Sequence, residues 1–217
     1  MVRIDEYPSL AHYCAGPEYQ KWLAEWQPPS EAEVDVWQDD EGSIRRYFGH
    51  PEHNTPRQYG LTRYATRLAF YHLDTLQIND LPCVDIGCGY NWFKRFYPSI
   101  WGVDPDNDSY RDEKLTQEWY RHNWGKWPRL FSFNAIHFDK QQNIARNIAL
   151  ARGLLSSGGR ALIGMNQARI KDHSPNYDPD QLRQTLQQTP GLQRMVWIHK
   201  PRDAAMDGNL WLWLDKS

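Results

Sequence analysis

The sequence predicts an α/β fold in which a doubly wound, mostly parallel sheet carries helices on both faces. Residues 81–105 read as strand, glycine turn, helix and strand, because two short apolar runs, each ending in an acid, flank a glycine turn and a helical segment. Near the end of the chain, residues 194–200 and 209–215 are rich in β-branched and aromatic side chains and flank a turn at Asp207-Gly208. This pattern predicts an antiparallel C-terminal strand beside the parallel ones.

The glycine turn after the first apolar run has the residues that a nucleoside site needs. Asp85 lies at the end of that run, and Gly87 and Gly89 follow at alternate positions, where a backbone without Cβ atoms can turn sharply and approach a ligand. Asp104 ends the second run, where a carboxylate can accept hydrogen bonds from two ribose hydroxyls. A glycine pair alone would indicate only a turn. Strand, turn, helix, strand and acid in one window predict a nucleoside-binding site.

The same window differs from the fingerprint of a dinucleotide site. That fingerprint has Gly or Ala three positions after its second glycine, where the helix packs on the strand, and this chain has Trp92 there. The antiparallel ending is also foreign to a dehydrogenase-type fold. An oxidoreductase on a dinucleotide fold is therefore the disfavoured alternative.

The window resembles motif I of the class I S-adenosylmethionine-dependent methyltransferases, acid-x-Gly-x-Gly-x-Gly, with Asn91 in place of the third glycine. Asparagine tolerates left-handed backbone better than most residues do. The resemblance implies a Rossmann-like, seven-stranded-type sheet and S-adenosylmethionine as cofactor, with the amino-acid part in the loop and the ribose on Asp104. The cofactor-binding residues that it implies here are Asp85, Gly87, Cys88, Gly89, Tyr90, Asn91, Asp104 and Pro105.

A second similarity lies within residues 129–138, which are predicted to be the fourth strand running into its loop. The stretch from Asn134 to His137 stands where this family has motif IV, beside the methyl group, and resembles the Asn-x-x-His-aromatic pattern of several small-molecule methyltransferases. The Asp/Asn-Pro-Pro-aromatic and Pro-Cys signatures of DNA methyltransferases are absent. The resemblance implies that Asn134 and Ala135 line the cofactor site. His137 is the candidate general base, with a pocket-lining or core histidine as the alternative.

Apolar positions at helical spacing predict a helix over residues 59–77, leading into the first strand. In the methyltransferase family this helix borders the cofactor pocket, so Arg63 and Tyr64 are further candidate site residues. A solvated helix edge is the alternative for Arg63. Residues 123–128 stand where the family has its third strand, but they contain no suitable acid for the adenine. The remaining predicted elements are helices at 111–121, 140–155 and 180–188 and a strand at 160–165 that follows a glycine cap.

Residues 1–59 match nothing in the common methyltransferase fold. They are predicted to form an N-terminal helical cap, with short helices at 18–26 and 29–37, in front of a methyltransferase domain over residues 60–217. A plain N-terminal extension is the alternative. His50 and His53 have the spacing of metal ligands, but Pro51 lies between them and no third ligand is near. No metal is predicted.

The charge distribution favours a small molecule as the methyl acceptor. The net charge is −2, and residues 1–80 hold 7 Lys and Arg against 13 Asp and Glu, which opposes a track for nucleic-acid phosphates. The abundant aromatic residues could still stack on bases. An RNA or DNA methyltransferase and a non-catalytic, S-adenosylmethionine-binding partner subunit therefore remain open alternatives.

The three cysteines, Cys14, Cys83 and Cys88, are too few for a disulfide scaffold and lack metal-ligand spacing. The sequence has no signal-like start and no apolar run of membrane-spanning length. These features predict a cytoplasmic protein without a membrane partner. The oligomeric state is not predicted.

Overall fold

The computed structural model describes residues 2–26, 64–89, 91–105, 111–136, 141–167, 170, 174, 176–199 and 209–217. The strands in this part of the chain are β1 (Arg3–Tyr7), β2 (Cys83–Ile86), β3 (Ile100–Asp104), β4 (Glu113–Lys114), β5 (Trp127–Phe133), β6 (Leu155–Asn166), β7 (Leu192–Ile198) and β8 (Asn209–Asp215). The helices are α1 (Leu10–Cys14), α2 (Pro17–Glu25), α3 (Tyr64–Thr75), α4 (Gln117–Asn123), α5 (Gln141–Leu154) and α6 (Pro179–Gln187), with a 3₁₀ turn at Trp92–Arg95.

The described strands form one sheet of eight, in the order β1-β7-β8-β6-β5-β2-β3-β4. Only β8 runs against its neighbours, β6 and β7, and every other pair is parallel. The predicted fold class, with its antiparallel C-terminal strand, is confirmed. Because β2 lies between β3 and β5, the direction in which the sheet is built reverses there, and open α/β sheets bind their ligands at such points.

Helices cover both faces of the sheet, as expected for strands with long apolar runs. On one face α1, α2 and α3 pack on the sheet through fully buried residues such as Leu68, Leu73 and Phe131. On the other face α4, α5 and α6 do the same, with Ile144 and Ile148 at the centre of the contact. Two hydrophobic cores therefore hold the carboxyl ends of the central strands in place.

The beginning of the chain belongs to the sheet and its first core. β1 pairs in parallel with β7 along its whole length, and Leu10, Tyr13 and Tyr19 are buried in the same hydrophobic core as residues of α3. The helix predicted at 18–26 is confirmed as α2, but strand β1 was missed. Strand β1 lies at the edge of the sheet, where charged residues are common. Its charged residues obscure the alternation of apolar and polar residues that predicts a strand. The helix predicted at 29–37 and the domain boundary at residue 59 lie outside the described residues.

The region after β3 differs most from the prediction. The helix predicted at 111–121 is wrong at its start, because β4 occupies positions 113 and 114 and α4 begins only after Thr116, whose side chain accepts a hydrogen bond from Trp119 N–H. The strand predicted at 123–128 is wrong as well, because β4 is the strand that pairs outside β3. Residue 127 already belongs to β5.

The later elements follow the prediction more closely. Helix α5 and helix α6, which Asp178 caps through two backbone N–H groups, are confirmed, as is the described part of the helix predicted at 59–77. The strand predicted at 160–165 starts earlier, at Leu155. The glycine cap predicted for α5 is therefore wrong. Gly158, with φ 72°, lies within β6 instead, where its N–H donates to Lys216 O at 2.7 Å.

Replacing Tyr19 with alanine should lower the free energy of unfolding by about 3–5 kcal/mol, the usual cost of deleting a buried aromatic ring. The Tyr19 ring is buried between Trp22 and Tyr71, with ring centroids 5.5 and 5.2 Å away. Lys21→Ala on the exposed side of the same helix is the matched control and should change stability by less than about 0.5 kcal/mol. Urea denaturation of the three proteins measures both effects.

The same reasoning applies to a chain that begins at residue 55. Such a chain lacks β1, α1 and α2, so the apolar surface that they cover on α3 and β7 would face water. We expect it to lose its cooperative thermal transition. A shortened chain that still melts cooperatively would contradict the assignment of residues 2–26 to the core.

Candidate functional site

The loop after β2 is built from left-handed backbone. Gly87 (φ 73°), Gly89 (φ 55°) and Asn91 (φ 52°) all adopt positive φ, at alternate positions. A Cβ atom added to Gly87 would also collide with Ala135 in the loop after β5. The glycine requirement at position 87 is therefore both conformational and steric. Asn91 occupies the left-handed region that the sequence predicted for it.

Hydrogen bonds attach this loop to the end of β3. The backbone N–H groups of Gly87 and Cys88 donate to Val103 O at 2.8 and 3.1 Å, and Gly89 N–H donates to Asp104 Oδ2 at 2.9 Å. Asp104 therefore lies beside the loop, as its position in the sequence predicted, and one of its oxygens accepts from a loop amide.

Asp85 is a buried acid of the site with a raised pKa. It ends β2 but for one residue and is 3% exposed, and burial, with the negative charge of Asp104 as a second cause, raises its pKa to about 8. Around neutral pH the carboxyl group is therefore mostly protonated. A cation placed beside it would favour the ionised form, since opposite charges lower the pKa of a carboxyl group.

Cys88 and Pro105 lie near the loop acids in the sequence, and neither of them supplies a nucleophile. The Cys88 thiol is buried, and burial followed by the charges of Asp85, Asp104 and Asp112 raises its pKa, so it stays a thiol rather than a nucleophilic thiolate. Pro105 is exposed, and its carbonyl accepts a hydrogen bond from the guanidinium of Arg111 at 3.0 Å. Both residues shape the rim of the loop.

The loop after β5 supplies the facing wall. Asn134 is left-handed (φ 56°), and its N–H donates to Gly164 O at 2.9 Å. Its Oδ1 atom is buried and has no hydrogen-bond partner among the described residues. Ser132 lies two residues earlier, in β5. Its hydroxyl donates a hydrogen bond to Ile86 O at 2.9 Å and so connects the ends of β5 and β2. Buried polar atoms are rarely left unpaired, which marks Asn134 as a ligand-binding candidate.

Four predicted site residues are not placed by the structure. Arg63, Tyr90 and His137 lie outside the described residues, and Tyr64 opens α3 with its side chain outside the description. The general-base role of His137 and the bordering role of Arg63 and Tyr64 remain predictions. The other predicted residues, Asp85, Gly87, Cys88, Gly89, Asn91, Asp104, Pro105, Asn134 and Ala135, all follow or end β2, β3 and β5 at one edge of the sheet.

The sequence analysis missed two residues that contact the loop. Asp112 Oδ2 accepts hydrogen bonds from Gly102 N–H at 2.8 Å and from Asn91 Nδ2 at 3.1 Å, and Lys94 bonds its other oxygen. Gly102 packs directly against the Asn91 side chain. No local pattern could reveal these contacts, because the three residues are 10 to 21 positions apart and Asp112 was assigned to a helix.

The part of the chain that the structure describes contains neither a membrane-spanning helix nor a cluster of metal ligands. No helix there is both long enough and apolar enough to cross a membrane. No group of three or more His, Cys, Asp or Glu side chains in that part of the chain could hold a metal ion. His50 and His53 lie outside the residues that the structure describes.

No protein-family model matches the sequence, and no curated protein matches it either. Solved structures do match. A methyltransferase dependent on S-adenosylmethionine from Archaeoglobus fulgidus gives a TM-score of 0.53 at 12% identity, over 82% of this chain and 100% of that one. The N-methyltransferase NodS from Bradyrhizobium japonicum WM9, in complex with S-adenosyl-L-homocysteine, gives 0.53 at 12% identity, over 80% and 96%. The CurJ carbon methyltransferase gives 0.50 at 13% identity, over 91% and 70%. The chain therefore has the fold of these methyltransferases.

Asp85 should make the protein less stable as the pH rises. The unfolded carboxyl group titrates near pH ~4 and the folded one near 8, so the folded state holds an extra proton between these values. This contribution to the free energy of unfolding is complete below the lower value and is lost as the pH rises through the higher one. Asp85→Asn should remove it, so that the variant gains stability relative to the wild type as the pH rises from about 4 to about 8.

Urea denaturation of both proteins across this range measures the difference. Comparing the two removes contributions that they share, such as that of buried His72, whose pKa burial lowers. Parallel stability curves would contradict the raised pKa of Asp85.

Proposed function

We propose that this protein, whose chain has the class I methyltransferase fold, transfers the methyl group of S-adenosylmethionine to a small molecule. The observation that carries the proposal is the loop after β2, in which three left-handed positions place open backbone beside the carboxyl groups of Asp85 and Asp104. This is the arrangement that motif I of the family predicts.

The residues present fit the cofactor's chemical groups. The amino-acid part of S-adenosylmethionine carries an ammonium and a carboxylate, and its ribose has two hydroxyl groups. We assign the ammonium to the neighbourhood of Asp85 and the unpaired Asn134 Oδ1, because a cation would compensate the buried carboxyl group and fill an unmet acceptor. We assign the ribose to Asp104, which the Gly89 amide orients.

The cofactor would supply an activated methyl group on sulfur, and the protein has to align it with an acceptor. Holding two reactants in line is worth roughly 7–11 kcal/mol of the barrier, so no covalent intermediate with the protein is needed. In our proposal Gly87, Gly89 and Asn91 shape the floor on which the cofactor lies, and Asn134 and Ala135 face it from β5. His137, which follows this segment, is proposed to take the proton if the acceptor is a hydroxyl or an ammonium.

A small-molecule acceptor is the better-supported choice. The net negative charge of residues 1–80 opposes binding of a nucleic-acid backbone, and the signatures of DNA methyltransferases are absent at residues 134–137. The names of the matching structures include a nitrogen and a carbon methyltransferase, so the fold serves both acceptor atoms. We place the protein in the cytoplasm, because its three cysteines are free and buried thiols.

We expect S-adenosylmethionine and S-adenosylhomocysteine to bind and NAD and NADP not to bind. The loop after β2 has Trp92 where a dinucleotide site needs a small residue. Isothermal titration calorimetry with each of the four ligands measures this. Preferential binding of a dinucleotide would refute the proposed function.

Transfer of a radiolabelled methyl group to the components of a cell extract then distinguishes a small-molecule acceptor, a nucleic-acid acceptor and a non-catalytic partner subunit. Label in the small-molecule fraction is the expected result. Label in RNA or DNA would show that the acceptor is a nucleic acid and not a small molecule. Cofactor binding without any methyl transfer would indicate a non-catalytic partner subunit.

Asp104→Ala should weaken binding of S-adenosylhomocysteine by about 1.5–3 kcal/mol, the usual value of hydrogen bonds to a charged group. Asp104→Asn keeps an acceptor for the Gly89 amide and should lose less. Asp180→Asn, an exposed acid in the first turn of α6, is the control and should leave affinity unchanged. Calorimetry measures the affinities, and an unchanged dissociation constant in folded Asp104→Ala would remove Asp104 from the site.

A further inference from the structure

We propose that Asn91, Gly102 and Asp112 form a three-residue lock that positions the cofactor loop, with Asp112 as a positioning residue that acts through Asn91. The lock takes over the role of the missing third glycine in this chain. Its effect on the cofactor rests on the proposed function, whereas its three contacts do not.

Gly102 provides the space that the Asn91 side chain occupies. A Cβ atom added to Gly102 would lie 2.6 Å from Asn91 Nδ2 and closer still to Cγ and Oδ1 of the same amide. The Asn91 side chain is short and buried, so it has little freedom to move aside. An asparagine at position 91 in this arrangement therefore requires a glycine at position 102.

Asp112 fastens both partners with one oxygen. Its Oδ2 atom accepts from the Asn91 amide at 3.1 Å and from the Gly102 backbone N–H at 2.8 Å. Its other oxygen is bonded by Lys94, whose ammonium also lies 5.2 Å from the centre of the Trp101 ring. Hydrogen bonds to a charged acceptor are among the stronger ones in proteins. The carboxylate thus joins the loop, the 3₁₀ turn and strand β3.

The charge of Asp112 suits this role. Burial alone would raise the pKa of Asp112, but hydrogen bonds from Lys94, Gly102 N–H and Asn91 outweigh it and hold the pKa below the ordinary value. Asp112 is therefore ionised at neutral pH and remains a strong acceptor. Lys94 is the cation that faces it among the described residues.

The lock acts on the loop because Asn91 is its last residue. The start of the loop is already held by Val103 O and Asp104, through the N–H groups of Gly87, Cys88 and Gly89. Fixing Asn91 in its left-handed conformation secures the other end. Both ends are then held by β3 and the segment that follows it, so the loop needs little reorganisation when a ligand binds. Such preorganisation raises affinity without a new contact to the ligand.

A double-mutant cycle between Asn91 and Gly102 tests the lock. Gly102→Ala should weaken binding of S-adenosylhomocysteine by about tenfold, within the range for residues in direct contact. In an Asn91→Gly background, which lacks the three atoms nearest to the new Cβ atom, Gly102→Ala should change affinity by less than about twofold. Calorimetry at a temperature where all four proteins are folded gives the affinities. Equal effects of Gly102→Ala in both backgrounds would overturn the lock.

The role of Asp112 is tested by a graded pair of variants. Asp112→Ala removes both acceptor oxygens, whereas Asp112→Asn keeps one, so affinity should fall in the order wild type, Asp112→Asn, Asp112→Ala. Glu118→Gln, an exposed acid on α4, is the matched control. Equal affinities of wild type and Asp112→Ala would remove Asp112 from the lock, even if the variant melts at a lower temperature.

The outcomes also separate the lock from the proposed function. If the wild type binds neither S-adenosylmethionine nor S-adenosylhomocysteine, the proposed function fails. The melting temperatures of the wild type, the two single variants and the double variant, all without ligand, then test the lock. Asn91→Gly should restore the melting temperature that Gly102→Ala lowers. If Gly102→Ala does not fold, folding of the double variant supports the lock, and failure of both variants to fold overturns it.

Discussion

The parallel pairing of β2 with both β3 and β5 is the constraint on which the rest of the structure depends. These strands are covered on both faces, so their backbone polar groups can be satisfied only within the sheet. The pattern of buried side chains selects one register, in which Asp85 lies level with Gly102 on one side and Phe131 on the other. The ends of the three strands, and the loops that follow them, consequently meet at one edge.

The close approach of these loops explains the conformations found at the site. Gly87 lies so near Ala135 that a side chain would not fit, and Asn134 and the three loop positions all take up left-handed backbone. Left-handed conformations cost non-glycine residues energy, and such costs gather at functional sites where the surrounding structure holds them. Here that support comes from β3 and the segment after it. Hydrogen bonds to Val103, Asp104 and Asp112 hold the loop in this conformation.

The electrostatics of the site follow from the same burial. Asp104 and Asp112 accept hydrogen bonds from backbone amides, whereas Asp85 lies buried next to a like charge and is held mostly in its neutral form. In a low-dielectric environment an uncompensated carboxylate is costly, and a cationic ligand group reverses that cost. The site is therefore suited to a ligand that carries both a cation and hydroxyl groups.

The sequence by itself determined the fold class, the end of β2 to within one residue of Asp85, the end of β3 at Asp104, and the left-handed conformation of Asn91. These features depend on local apolar runs, glycine conformations and the spacing of acids, which are legible along the chain. Only the tertiary structure decided that the first residues form β1, that β4 rather than residues 123–128 pairs outside β3, and that Asp112 and Gly102 contact Asn91. An edge strand full of charges has no apolar pattern, and contacts between residues distant in the chain exist only once the strands have paired in register.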